Sequence, residues 1–475
     1  MPMTTSSLPN QDRMTRLSFS AGTLTLEGAS RALADSLLPP GTWVWDARAS
    51  LWRCDALQYA KLRQRLAQGR WPVADEVPLW KPVTWPKSEL HTLRADQAAA
   101  VAGWMKSKQG VVVMPTGTGK TEVALTIMQQ AAISTLVVAP VRDLMYQWHR
   151  RILQGVGFDA GVIGDNTYRV RPVSVTTYDS ACIHMERLGQ MFGLLVFDEC
   201  HHLPGAIRRD AARMSAAPYR LGLTATPERT DGKHSDLDWL IGPLAYEMKL
   251  SEARGKVLAE YEVVRIPVHL SDEEQQRYDE LSQQVRQFVA DRRQDDPSFT
   301  WETLCADSGT NPEARRALRA FRMKQAIEDR AEEKLRVLED LFRLHAGSPV
   351  IVFAGSNAMA REVSKRFLIP CLLSHCGKAE RFEVLTGLQA GTYPALVCNQ
   401  VLDEGVDLPE VKVAIVIGGM ASTKQARQRL GRILRKSGNA RAMLYEVVCA
   451  DTNESKRSRQ RRNHETYAGT RHRKM

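Results

Sequence analysis

Two short segments of this 475-residue chain hold the residue types best suited to chemistry. The first, Met114-Pro-Thr-Gly-Thr-Gly-Lys-Thr121, follows an apolar run, Val111–Val113. A glycine-rich turn between a strand and a helix points backbone N–H groups at phosphate, and the helix N-terminus adds favourable potential. Thr116, Gly117, Thr118, Gly119, Lys120 and Thr121 are therefore expected to cradle ATP. Lys120 would reach the β and γ phosphates, and the Thr121 hydroxyl would hold Mg²⁺. The strict pattern has glycine where Met114 stands, a departure at one position. The second segment is Leu194-Leu-Val-Phe-Asp-Glu-Cys-His201. An apolar strand ending in two acids delivers both carboxylates to the carboxyl edge of a sheet, beside the phosphate loop. Asp198 would hold Mg²⁺ through its water shell and Glu199 would polarise the attacking water.

The elements that position these residues are legible as periodicity. Between about 93 and 250, short apolar runs alternate with amphipathic segments, the pattern of a parallel sheet with crossover helices. The strands are expected at Val111–Val113, Leu136–Ala139, Val173–Thr176, Leu194–Phe197 and Leu221–Leu223. The pattern returns between about 333 and 448, with strands at Val350–Phe353, Ala395–Val397, Val413–Ile417 and Met443–Val447. Two such lobes suggest a cleft. The expected fold is thus α/β, two parallel-sheet lobes with a small N-terminal α+β domain and a helical insertion between the lobes. Boundaries fall at 1–85 for the N-terminal domain and linker, 86–255 for the first lobe and 256–335 for the connection and insertion. The second lobe is expected at 336–452 and a basic disordered tail at 453–475.

Charge is uneven. The net charge of +11 hints at a polyanionic partner. Residues 455–475 carry eight Lys/Arg against Glu465 alone, with almost no apolar residues. Such a tail reads as solvated, and it can still hold nucleic acid without sequence preference. In the N-terminal domain, Trp43, Trp45, Trp52 and Tyr59 are expected to face a small core. The eight cysteines are scattered without CxxC spacing, so reduced thiols in a cytoplasmic, or nucleoid-associated, protein are the expectation. The N-terminal stretch lacks a basic-then-apolar signal. No long uncharged apolar run suggests a membrane span.

Asp198-Glu199-Cys200-His201 resembles the DExH box of superfamily 2 helicases, and further motifs occur in that family's order. The resemblance covers about 93–450 and implies that the fold is α/β with two RecA-like parallel-sheet lobes. It implies that Arg94 and Gln97 recognise adenine, that Arg142 and Thr177 grip the nucleic-acid backbone, and that Thr224 and Thr226 couple hydrolysis to strand movement. In the second lobe it implies that Gly405 and Asp407 face nucleotide and strand. It further makes Gln425 a coupling residue, with Arg429 and Arg432 as arginine fingers on the γ-phosphoryl charge. Val196-Phe-Asp-Glu-Cys-His-His-Leu-Pro204 is similar to the box of the XPB-like DNA helicases. Gly22–Gly28 and Val44–Tyr59 resemble the damage-recognition domain that precedes the motor there, and the insertion stands where that group has its thumb. One departure is Pro227-Glu-Arg229-Thr230-Asp231, where that group has Arg-Glu-Asp; UvsW-like and RadD-like helicases are neighbouring readings. His201 and His202 are expected to make hydrogen bonds rather than ligate metal, since no ligand set surrounds them.

The resemblance implies an ATP-dependent DNA helicase or translocase acting in DNA repair or remodelling, with DNA preferred to RNA and a nuclease or repair protein as a possible partner. The alternatives are an RNA-remodelling DExH enzyme and the motor subunit of a restriction or defence complex. A silent binding scaffold does not agree with intact Lys120, Asp198, Glu199, Arg429 and Arg432.

Overall fold

Alternation of apolar and polar residues builds the N-terminal domain. Strands β1 (Thr15–Ser20) and β2 (Thr23–Glu27) form a hairpin, helix α1 (Arg31–Leu37) comes next, and β3 (Val44–Asp46) pairs with β4 (Leu51–Asp55). Helix α2 (Tyr59–Ala67) and β5 (Val73–Asp75) complete a sheet of order β3-β4-β2-β1-β5. Trp43 and Tyr59 enter its core and Trp52 packs against it. Trp45 does not: it stands 48% exposed on the edge strand, because β3 has a neighbour on one side only. The structure is a computed structural model and describes residues 15–87, 90–227, 232–253, 261–373, 375–399, 411–418 and 442–462. The chain divides into two units, Met1–Lys249 and Leu250–Met475.

The rest of the first unit is a lobe of eight strands. In chain order come α3 (Ala95–Ser107), β6 (Gln109–Val113), α4 (Lys120–Ala131), β7 (Thr135–Ala139), α5 (Arg142–Val156), β8 (Gly161–Gly164), β9 (Thr167–Arg169) and β10 (Val173–Thr177). After them stand α6 (Tyr178–Leu188), β11 (Leu194–Asp198), α7 (Asp210–Arg213), β12 (Tyr219–Thr224), α8 (Asp236–Leu240) and β13 (Leu244–Glu247). The sheet order is β13-β6-β12-β11-β7-β10-β8-β9, parallel except for the β8–β9 hairpin. All five strands expected in this lobe are present; β13 and the hairpin are additional. Strands buried on both faces read as continuous Val/Leu/Ile runs, which is why these five were visible in the sequence.

The N-terminal domain is docked on this lobe. Asp55 takes three hydrogen bonds from Arg213, one from Nε at 3.2 Å and two from Nη2 at 3.1 and 3.0 Å. Ala216 of the lobe belongs to the N-terminal core. Behind that contact Arg220, 2% exposed, has no carboxylate partner among the described residues. Its guanidinium instead donates to the carbonyls of Ala212, Ser215, Ala217 and Leu240 at 2.7–3.1 Å. Arg220 is thus a strut between α7, the loop after it and α8.

The second unit begins with α9 (Leu250–Ala253) and β14 (Tyr261–Val268). Helices α10 (Asp272–Asp295), α11 (Trp301–Asp307) and α12 (Pro312–Arg330) form the insertion, each opening on a side-chain cap from Ser271, Thr300 or Asn311. Then come α13 (Glu332–Leu344), β15 (Val350–Ala354), α14 (Asn357–Phe367), β16 (Cys371–Leu372), α15 (Lys378–Gln389), β17 (Ala395–Cys398), β18 (Val413–Ile417) and β19 (Ala442–Cys449). The described strands form a parallel sheet of order β14-β19-β18-β15-β17-β16. Since β14 pairs along its whole length with β19, the insertion interrupts the second lobe rather than preceding it. A correction concerns the tail. Residues Asn453–Arg462 form a helix packed on β19, with Ser455 and Ser458 buried; only 463–475 lie outside the described residues. Among the described residues no helix is long and apolar enough to cross a membrane.

Arg220→Met should strand four buried carbonyls and lower the stability of the first unit by on the order of 3 kcal/mol. A urea midpoint equal to wild type would show that the strut adds no stability.

Candidate ATPase site

Three neighbouring strands, β6, β12 and β11, run in register. Val113 stands opposite Thr224, and Leu223 opposite Asp198. All three therefore end at one level of the sheet, and the segments they lead into meet at its carboxyl edge.

After β6 the chain turns through the phosphate loop. Gly117 and Gly119 adopt φ of 86° and 84°, the left-handed region that glycine enters without penalty. Thr118 is buried and closes the turn by donating to the Pro115 carbonyl at 2.7 Å. Met114 is buried, and its φ is not in the left-handed region, so the position does not need glycine. Its carbonyl accepts from Lys120 Nζ at 3.2 Å, an interaction that phosphate oxygens would replace. Thr116 is half-buried on the loop, and Thr121 is the second residue of α4, beside the loop's N–H groups.

Arg94 and Gln97 both meet the phosphate loop. Gln97, 3% exposed, accepts from the Arg94 backbone N–H and donates to the Thr118 carbonyl at 3.1 Å. The Arg94 guanidinium donates to the same carbonyl and pairs with Asp96. One end of the Gln97 amide thus caps α3 and the other braces the loop.

After β11, Asp198 is buried. Trp148 Nε1 of α5 donates to its Oδ2 at 2.8 Å, the Glu199 backbone N–H donates to Oδ1 at 3.0 Å, and Tyr178 donates to its carbonyl at 3.0 Å. Burial, then the like charge of Glu199, push the Asp198 carboxyl up to about 6, against the Trp148 bond and the Lys120 charge that lower it. Glu199 holds a left-handed backbone, φ 46°, a strained state for a residue with a side chain. Its Oε2 is buried without a hydrogen bond among the described residues and lies 3.4 Å from His201 Nδ1. Two adjoining carboxylates of this kind are what a divalent cation and an ordered water relieve, so the residues fit Mg²⁺.

His201 links this box to β12. Its Nδ1 is 2.9 Å from Thr224 Oγ1. The Thr226 backbone N–H donates to the same oxygen at 3.1 Å, and Thr226 is buried. The Thr224 carbonyl in turn accepts from Met114 N–H at 3.0 Å. One threonine therefore touches the phosphate-loop strand, the acidic box and the coupling segment.

Two further sites were expected at this edge. Arg142, first residue of α5, donates to Asp165 at 2.8 Å on the β8–β9 turn and stays largely exposed. Thr177 is 8% exposed, and its hydroxyl caps α6 by accepting from Ser180 N–H. Gly405, Asp407, Gln425, Arg429 and Arg432, and residues 228–231 of the departing motif, lie outside the described residues. Trp148 was not visible in the sequence as a site residue, since an aromatic on an amphipathic helix signals only a core face; Tyr178 stood in the Thr176-Thr177-Tyr178 segment, but its bond to the Asp198 carbonyl was not foreseen.

Residues 17–77 match the xeroderma pigmentosum group B helicase damage recognition domain, and 90–229 the type III restriction enzyme res subunit. Residues 317–473 match the ERCC3/RAD25/XPB C-terminal helicase. The chain is 38% identical over 435 residues to the DNA 3'-5' translocase XPB2 of Sulfurisphaera tokodaii, spanning 90% of this chain and 97% of that protein. It is 31% identical over 377 residues to the DNA 3'-5' helicase XPB of Kineococcus radiotolerans, 76% of this chain and 60% of that protein. Among solved structures it is similar in fold to the Pyrococcus furiosus Hef helicase domain, with TM-score 0.51 and 17% identity over 78% of this chain and 98% of that one. It is likewise similar to S. cerevisiae Dbp5 bound to RNA and ADP BeF3, with TM-score 0.55 and 15% identity over 80% and 89%.

Gly119→Ala should force a side chain into the left-handed region and against Gln97 Nε2. A strain of about 1–2 kcal/mol should weaken ATP binding by roughly tenfold, measured by titration of a fluorescent nucleotide. Unchanged affinity would mean that the loop tolerates a different conformation.

Proposed function

This chain belongs to the XPB family of ATP-dependent DNA helicases and translocases, and from that premise we propose that it tracks along DNA in the 3'-5' direction. The observation that carries the reading is that His201 joins Glu199 to Thr224 at the sheet edge where Lys120 and Asp198 also stand. The first-lobe match to a restriction subunit covers the motor alone, whereas both flanking matches and the near full-length relative point to the XPB family.

In this reading the N–H groups of the loop and Lys120 hold the ATP phosphates. Thr121 and Asp198 would hold Mg²⁺, which neutralises charge on the β and γ phosphates when bound. Glu199 orients and takes a proton from the attacking water, its buried Oε2 being the acceptor. Thr224 and His201 tie that carboxylate to the coupling segment that ends at Thr226. Arg94 and Gln97 act by bracing the loop at Thr118. Arg142, exposed and paired with Asp165, is a cation that a DNA phosphate would engage, and Thr177 shapes the adjacent helix start. The parts assigned to Gly405, Asp407, Gln425, Arg429 and Arg432 rest on motif order alone. A repair protein or nuclease is the partner class that agrees with a chain carrying a damage-recognition-like domain.

Lys120→Ala should lose nucleotide affinity, because the cation that exchanges the Met114 carbonyl for phosphate is gone. Glu199→Gln should keep ATP bound and lose turnover by on the order of 10³-fold. ATP hydrolysis measured with single-stranded DNA, duplex DNA and RNA tests both the roles and the substrate. Stimulation by RNA alone, or normal turnover in Glu199→Gln, would overturn the proposal.

A further inference from the structure

The second unit buries a group of charges that the ATPase site does not use. Lys334, at the start of α13, is 0% exposed. Its ammonium donates to Glu454 Oε1 and Oε2 at 2.9 and 2.7 Å and to the Glu328 carbonyl at 2.7 Å, which uses all three donors. Glu328, at the end of α12, is 1% exposed. Its Oε1 accepts from Tyr278 of α10 at 2.8 Å and its Oε2 from Arg457 of the C-terminal helix at 2.5 Å. The Tyr278 hydroxyl accepts in turn from the Asn453 backbone N–H at 2.9 Å, and Glu454 Oε2 accepts from Cys449 N–H at the end of β19.

These bonds converge on the two stems of the helical insertion. The chain enters through α10, which carries Tyr278, and leaves through α12, which ends at Glu328-Asp329-Arg330 before a sharp corner at Ala331. The C-terminal helix closes over both stems. The same cluster reaches the carboxyl end of β18: a methyl group on Gly418 would stand 2.9 Å from Asp329 Oδ1 and 3.7 Å from Glu454 Oε1. Apolar packing would hold a helix here at less cost than buried ions, because ions must be desolvated. What charged pairs add is direction: the stems have one angle at which every donor and acceptor is satisfied. The far end of the insertion presents Arg316, Arg319 and Arg322 of α12, exposed and without carboxylate partners among the described residues, with Trp301 part-exposed beside Phe321. That surface suits a polyanion.

We propose that the C-terminal helix is a clip that fixes the angle of the insertion on the second sheet, with Glu328 as its central positioning residue. Resting on the DNA-motor reading, the clip keeps strand held by the insertion moving with the sheet. When it is broken, the insertion swings on the Ala331 corner, and ATP is hydrolysed without movement. Glu328→Gln removes the charge facing Arg457 while keeping the shape and an acceptor for Tyr278. Arg457→Gln breaks the same pair from its more exposed end.

Both variants, as full chains, would be compared with wild type for ATP hydrolysis on single-stranded DNA, DNA affinity and rate of movement along DNA. The clip predicts hydrolysis and affinity within about twofold of wild type and movement slower by about tenfold. It also predicts that the double variant is no worse than either single one, since the two act on one bond. Equal movement per ATP in the variants and wild type overturns the proposal. So does a loss of all three readouts together with a lower unfolding midpoint, which is what a merely structural role gives. If wild type hydrolyses no ATP on DNA, the motor reading fails, and the clip fails with it.

Discussion

The register of three adjacent parallel strands determines where the ATPase groups of the first unit can stand. Because Val113, Thr224 and Asp198 end their strands at the same level, the phosphate loop, the acidic box and the coupling segment have no choice but to meet. A slip of one residue in β12 would turn Thr224 to the other face and break its bonds to His201 and Thr226 together. The continuous Val/Leu runs that bury these strands on both faces therefore also set the geometry of the chemistry. Electrostatics at this edge is unfavourable: two adjoining carboxylates are held at the sheet edge, one fully buried and the other with a buried oxygen, with Lys120 nearby. Such a site is stabilised by a bound cation and its phosphate, which couples binding to order.

Much of this was legible from residue type and spacing. Glycines flanked by a strand and helix formers leave few alternatives for Gly117 and Gly119, and an apolar strand ending in Asp-Glu can deliver its acids only to the carboxyl edge. Partners remote in sequence were not legible. Trp148 lies 50 residues from Asp198, and nothing local marks its indole N–H as the donor that orients the carboxylate. Strand β14 was missed for a similar reason, since its pairing partner β19 lies far along the chain and its own pattern mixes charge with apolar residues. The C-terminal helix was hidden by composition. Its buried positions are Glu454, Ser455 and Ser458, so the burial is satisfied by ion pairs and hydrogen bonds, and no apolar stripe announces it.

The two units therefore use charge in different ways. In the first, one buried oxygen of Glu199 is left without a hydrogen bond among the described residues, next to a buried Asp198. In the second, Lys334 pairs with Glu454 and Arg457 with Glu328, and Tyr278 and the Cys449 N–H complete the carboxylates' bonding. The aromatic rings of the N-terminal domain show a comparable division, with Trp43 and Tyr59 given to the core and Trp45 left on an open edge.

The central claim is that Thr224 links the segment ending at Thr226 to the acidic box through His201. Replacing Thr224 by Val keeps its shape and removes the shared hydroxyl, while Ser restores the hydroxyl. The most direct measurement is the ratio of DNA-stimulated to unstimulated ATP hydrolysis in wild type and in these two variants. The account predicts that Thr224→Val lowers that ratio by about tenfold, with unstimulated turnover changed much less, and that Thr224→Ser retains it. A wild-type ratio in Thr224→Val would contradict the account.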